Sequence, residues 1–232
     1  MSEWSQTVDW LTTATNWTKD NGIVDRLVEH AGYSALTLGI ALVIALPIGF
    51  AIGHTGRGSF VALNSLVGAR AIPTFAVVVL LYKLEPLALW PVVVGLVLLA
   101  VPPIVANAAA AIAAVDPAVR DGARGMGMTG WQVLWRVELP NSVPLILAGV
   151  RSAATQVIAT ATIAAYVSLG GLGRFVIDGY ALVQYEQAYG GAVLVGAFAL
   201  IVDGALALFQ RAATPAGLRS GRAVPRSATA RA

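Results

Sequence analysis

The stretch Asp116-Pro-Ala-Val-Arg-Asp-Gly-Ala-Arg-Gly-Met-Gly-Met-Thr-Gly-Trp-Gln-Val-Leu-Trp-Arg-Val-Glu-Leu-Pro140 is the main polar interruption in the second half of an apolar chain. A charged, glycine-punctuated segment of this length is costly to place in hydrocarbon, so it must project into water. Asp116-Pro117 reads as a helix start, with aspartate as N-cap and proline in the first helical position. Gly127 and Gly130 then break that helix, and Trp131 to Val137 forms a second short helix stopped by Pro140. A helix-turn-helix knob between two membrane segments is suited to dock in a groove of another protein.

The flanking sequence is that of a membrane domain. Of 232 residues, 57% are hydrophobic and only 12% charged, with a mean hydropathy of +0.75. Soluble domains carry about 25% charged residues. A spanning helix needs roughly 20 mostly apolar residues. Five segments qualify: Tyr33–His54, Phe60–Tyr82, one within Pro86–Val115, Ala148–Val167 and Gly190–Gln210. The reading is an all-α polytopic bundle of about five membrane helices. Residues 1–32 form an N-terminal segment, 33–211 the membrane domain with its polar loop at 114–142, and 212–232 a basic tail. The tail is Ala, Gly, Ser, Pro and Arg, which cannot build a core and so is expected to be disordered.

Lys and Arg set the orientation. With the N-terminus outside, ten basic residues fall in the cytoplasm and four outside, and the polar loop is cytoplasmic. The N-terminal segment has no basic n-region, so it is not a signal peptide. Its Trp4, Trp10 and Trp17 fit a helix lying at the membrane interface, the alternative being a loosely ordered tail. Tyr180, Tyr185 and Tyr189 read as interfacial anchors, and the Gly170-Gly-Leu-Gly173 run as a sharp or re-entrant turn leading to a small outer helix.

Several chemistries are excluded. There is no cysteine, and His30 and His54 lack metal-ligand spacing, so both are read as interfacial side chains. No phosphate-binding loop, nucleophile elbow or zinc-protease motif is present. No folded basic face supports nucleic-acid binding. An integral-membrane enzyme would need convergent acids or histidines, which the chain lacks. No internal repeat suggests a self-contained secondary transporter. Arg70, near mid-membrane, must face a cavity or a partner, with Pro73 freeing a carbonyl a turn earlier as an acceptor. Asn107, in a run of alanines, can hydrogen-bond across a helix interface. Arg70, Pro73 and Asn107 are therefore the candidate pathway residues. Prolines in several spans suggest discontinuous helices. Asp203 is expected at the inner headgroup level near Arg211.

The loop resembles the "EAA" loop of permease subunits of ABC-type importers, whose pattern is E-A-A, three residues, G, nine residues, I-x-L-P. Asp121-Gly122-Ala123 stands at E-A-A, followed by Arg124, Gly125 and Met126, with Gly127 at the glycine. Met128 begins the nine-residue spacer, Val137 stands at the isoleucine, and Leu139-Pro140 closes the motif. The chain is most similar to osmoprotectant permeases, which carry glycine betaine, choline, carnitine or proline betaine. The pieces that match are Ala45-Leu-Pro-Ile-Gly49, Ala71-Ile-Pro-Thr-Phe75, Pro103-Ile-Val-Ala-Asn107, Gly125-Met-Gly-Met128 and Ala164-Ala-Tyr-Val-Ser-Leu-Gly-Gly-Leu-Gly173. That family usually has glycine and alanine where Ser168 and Leu169 stand. Arg70 before Ala-Ile-Pro also resembles methionine-importer permeases, which leaves methionine or another small polar solute as the alternative cargo.

The resemblance implies a multi-pass subunit of a bacterial cytoplasmic membrane with the methionine-importer type of permease fold. It implies no catalytic residue and no bound cofactor, ATP and Mg belonging to a partner ATPase. The implied partners are two ATPase subunits gripping the loop, a second permease subunit, identical or paralogous, an extracytoplasmic solute-binding protein, and the bilayer. The aromatic cage that recognises quaternary ammonium belongs, in this family, to the binding protein.

Overall fold

The computed structural model describes residues 2–57, 68 and 72–214. Ten α-helices account for most of these, and no strand occurs among the described residues. They are α1 (Glu3–Thr12), α2 (Ala14–Thr18), α3 (Ile23–Thr55), α4 (Thr74–Tyr82), α5 (Trp90–Ala113), α6 (Pro117–Gly125), α7 (Gly130–Val133), α8 (Leu139–Thr160), α9 (Gly173–Ala181) and α10 (Tyr185–Ala213). A π-helical turn, Leu134–Glu138, joins α7 to α8, and a 3₁₀ segment, Ala161–Val167, extends α8. Among the described residues four helical runs are long and apolar enough to cross a membrane: Ile23–Thr55, Trp90–Ala113, Gly130–Val167 and Tyr185–Ala213. Within the expected span Phe60–Tyr82, the described residues are helical at Gly68 and over Thr74–Tyr82, and Arg70 lies outside them.

Helix α3 begins at Ile23, ten residues before the expected Tyr33. The polar residues that had set the later boundary do not end the helix because each has a partner. Arg26 Nη1 lies 2.8 Å from Glu29 Oε2, the same oxygen accepts from Gly171 N at 2.7 Å, and fully buried His30 donates through Nε2 to the Ile158 carbonyl at 2.9 Å. His30 is thus a core residue rather than an interfacial one. Trp10 of α1 packs against the bundle. Its ring packs edge-to-face on Phe175 with centroids 5.3 Å apart, next to a cluster of Ile23, Leu172 and Val195.

The bundle is held by small residues, as expected where lipid offers no hydrophobic gain for helix association. Ala41 and Ala45 of α3, Ala100, Ile104 and Val105 of α5, and Ala153 and Val157 of α8 form one buried cluster. At Gly53 a Cβ would stand 2.6 Å from Ile112 Cβ and 2.7 Å from the Ala109 carbonyl, so α3 and α5 touch backbone to backbone. The prolines do not interrupt the helices as expected: α3 runs through Pro47, α5 through Pro102 and Pro103, and α8 through Pro144. Packing against neighbours holds a membrane helix together around such sites. The breaks fall instead at Pro73, which caps α4, and in the 3₁₀ segment Ala161–Val167.

Candidate functional site

The polar loop builds its first helix as its sequence dictates. Asp116 Oδ1 accepts from Ala118 N at 2.8 Å, Pro117 fills the first helical position, and α6 runs to Gly125. Gly127, at φ +83°, takes the left-handed turn that ends it. Thr129 then opens α7 with a reciprocal capping box: Gln132 N donates to Thr129 Oγ1 at 3.3 Å, and Thr129 N to Gln132 Oε1 at 2.9 Å.

Pro140 does not stop the second helix. It sits at the start of α8, and the chain stays helical from Gly130 to Val167. Proline lacks an N–H and crowds the carbonyl four residues back. The π-helical turn just before it widens the ladder there, which lets the helix continue. Asn141 Nδ2 then donates to the Val137 carbonyl at 2.7 Å. The loop helix and the membrane helix are therefore one rod.

Glu138 lies in that π-helical turn, with its side chain fully buried. Its Oε1 is 3.0 Å from Arg120 Nε of α6, and its Oε2 is 2.6 Å from His54 Nδ1 at the end of α3. Arg120 also donates to the Ile112 carbonyl at the end of α5. Nearby, Ser142 Oγ donates to the Ala111 carbonyl at 2.9 Å. A single carboxylate thus ties α6, α3 and α8 together. Sequence reasoning passed over Glu138 and placed His54 at the interface. The usable signal was a lone acid flanked by Val137 and Leu139, since a carboxylate is almost never fully buried unless paired.

The motif residues divide by face. Ala123 is buried, Met128, Val137 and Leu139 are half-buried, and Asp121, Gly122, Arg124, Gly125, Met126, Gly127 and Pro140 face outward. Asp121 and Arg124 are only 4.0 Å apart and well exposed, so their pair adds little. The outward face is apolar for a loop: Val119, Met126, Trp131 and Trp135 are all exposed, and the two tryptophans meet edge-to-face at 5.3 Å. A rigid, partly apolar knob anchored to three membrane helices can transmit displacement.

Of the candidate pathway residues, Pro73 is the N-cap of α4 and Arg70 lies outside the described residues. Asn107 keeps its hydrogen bond within its own helix, donating to the Pro103 carbonyl at 2.8 Å rather than across an interface. Its Cβ fills the gap at Gly149, where an added Cβ would be 2.4 Å away. Asp203 is not an isolated headgroup-level acid. It takes a bidentate pair from Arg151 at 2.9 and 2.8 Å, and Arg151 also reaches Gln210 at 2.8 Å, locking α8 to α10. No cluster of potential metal ligands occurs among the described residues.

At the other end of the bundle the glycine run fits closely around its neighbours. A Cβ on Gly170 would lie 1.9 Å from Glu29 Oε2, and one on Gly173 2.4 Å from the Thr162 carbonyl. The expected small helix follows as α9. Tyr180, Tyr185 and Tyr189 are exposed there.

Residues 13–215 match the family model described as "Binding-protein-dependent transport system inner membrane component". The chain is 32% identical over 196 residues to the glycine betaine/carnitine/choline transport system permease protein OpuCB of Bacillus subtilis (strain 168), covering 84% of this chain and 90% of that one. It is 34% identical over 189 residues to the carnitine transport permease protein OpuCB of Listeria monocytogenes, covering 82% and 86%. Its fold resembles an inward-facing structure of the MetNI methionine ABC transporter, with a TM-score of 0.73 at 20% identity over 83% of this chain and 96% of that one.

Proposed function

Because the chain belongs to the family of binding-protein-dependent transport system inner membrane components, we propose that it is the permease subunit of an ATP-driven importer of compatible solutes carrying a quaternary ammonium group. The observation that carries the solute class is the identity of about a third, over more than four fifths of the chain, with permeases named for glycine betaine, carnitine and choline. The likeness to a methionine transporter, at 20% identity, speaks for the fold alone.

In this reading the chain spans a bacterial cytoplasmic membrane with its N-terminus outside and the loop 114–142 in the cytoplasm. Two permease subunits enclose the pathway, and an extracytoplasmic binding protein delivers the solute. Two ATPase subunits, which hold the ATP and Mg, grip the exposed face of α6 and α7. The residues Asp121 to Gly127 act as mechanical contact, not as chemistry. When the ATPase pair closes, α6 moves, and Glu138 hands that motion to α3 and α8 through Arg120 and His54.

The test is uptake and ATPase activity in proteoliposomes holding this chain with its ATPase and binding protein. Glycine betaine, choline, carnitine, proline and methionine are added one at a time. Stimulation by the quaternary ammonium solutes supports the reading. Stimulation by methionine alone, or by none of them in an assembled complex, refutes the solute class.

A further inference from the structure

Two motif pieces remain without a role: Ala71-Ile-Pro-Thr-Phe75 and the Tyr166 segment. They come from distant parts of the sequence, yet Phe75 and Tyr166 meet. Their ring centroids are 5.0 Å apart with planes at 89°, so the rings form a right-angled corner. Both are exposed, 42% and 63%. The corner borders a cavity of about 420 Å³ also lined by Thr162, Gly173 and Val176, and none of the described residues lining it is charged. That volume lies in the range of small-molecule sites.

The placement is built from two backbone breaks. Phe75 sits two residues past Pro73, where α4 begins. Tyr166 sits on the 3₁₀ segment Ala161–Val167, which is longer than the three or four residues such helices usually sustain. Ser168, just beyond, holds a left-handed backbone at φ +63°. A long 3₁₀ stretch of this kind often marks a hinge, and it carries Tyr166 just past the end of α8.

We propose that Phe75 and Tyr166 form a transit subsite for the cationic head of the solute, resting on the quaternary ammonium reading above. A quaternary ammonium cannot donate a hydrogen bond, so it is recognised by the negative faces of aromatic rings. The uncharged lining among the described residues suits passage: the nearby cation Arg174, whose Nη1 donates to the Ala165 carbonyl at 3.4 Å, is paired with Asp178 at 3.0 Å. The subsite is separate from the cage that captures solute in the binding protein. Its work is to shelter the cation while it crosses an apolar stretch.

The test is uptake of radiolabelled glycine betaine by proteoliposomes containing the whole complex, with binding protein saturating so that capture does not limit the rate. Assembly of each variant is checked by chromatography of the complex. Phe75→Leu and Tyr166→Leu are expected to slow uptake by about two- to fivefold each, while Tyr166→Phe and Phe75→Tyr keep near wild-type rates. Fluorinated phenylalanines at position 75 keep the shape but weaken the negative face, so the rate should fall stepwise with each added fluorine. Leucine variants as fast as wild type would overturn the subsite. So would leucine variants that are slow while fluorination has no effect, since that pattern marks packing alone. A wild-type complex that moves methionine but no quaternary ammonium solute would overturn the solute reading itself.

Discussion

Replacing Glu138 with glutamine tests the linkage between loop and membrane helices. The carboxylate is fully buried, with Arg120 at 3.0 Å and His54 at 2.6 Å. Breaking a buried pair by removing one partner typically costs about 3–5 kcal/mol, because the other charge is left uncompensated. Here the partners keep some contact with water, at 18% and 19% side-chain exposure, so the cost falls to about 2 kcal/mol. For a chain of this size that lowers the thermal midpoint by about 4–8 °C. The assay is thermal unfolding of the detergent-solubilised protein, followed by chromatography of what stays folded. Arg120→Met should cost a similar amount, and the double variant E138Q/R120M less than the sum of the two, since neither charge is then stranded. Two single variants each within about 0.5 kcal/mol of wild type, as for an exposed pair, would refute the reasoning.

Other substitutions separate steric from conformational control. Gly53→Leu drives a side chain into the Ala109 carbonyl and Ile112, and should cost about 3 kcal/mol in the same thermal assay. Gly122→Ala meets nothing within 4 Å and should instead stabilise α6 by up to about 1 kcal/mol. At Gly127 the space is also open, but φ is +83°, so Gly127→Ala should cost about 1–2 kcal/mol through the backbone alone and weaken solute-stimulated ATPase activity. Ser168 holds φ +63° with a side chain attached. Ser168→Gly should therefore raise stability by about 1 kcal/mol, seen as a higher thermal midpoint.

Much of this was legible in the sequence because it rests on local rules. Asp116-Pro117 announces the start of α6 and Gly127 its end, and both do so in the structure. The long apolar runs announce the spans. What was misread depends on partners distant in sequence. Arg26, Glu29 and His30 look like the edge of a membrane until Gly171 and the Ile158 carbonyl supply their hydrogen bonds. Pro140 looks like a stop until a π-helical turn makes room for it. Glu138 looks like one more loop charge, and only the fold shows that His54, 84 residues away, meets it. Phe75 and Tyr166 likewise show no sign of each other in sequence.

The most direct test of the central claim, that α6 and its flanks couple the chain to an ATPase, is site-specific cross-linking, which the absence of native cysteine makes clean. Single cysteines would replace Met126, on the exposed loop face, and Tyr180, equally exposed at the opposite end of the bundle. Each would be paired with cysteines across the surface of the ATPase subunit in the assembled complex. The account predicts cross-links from position 126 whose yield changes between the nucleotide-free and ATP-bound states, and none from position 180. Cross-links to the ATPase from position 180, with none from 126, would contradict both the orientation and the role assigned to the loop.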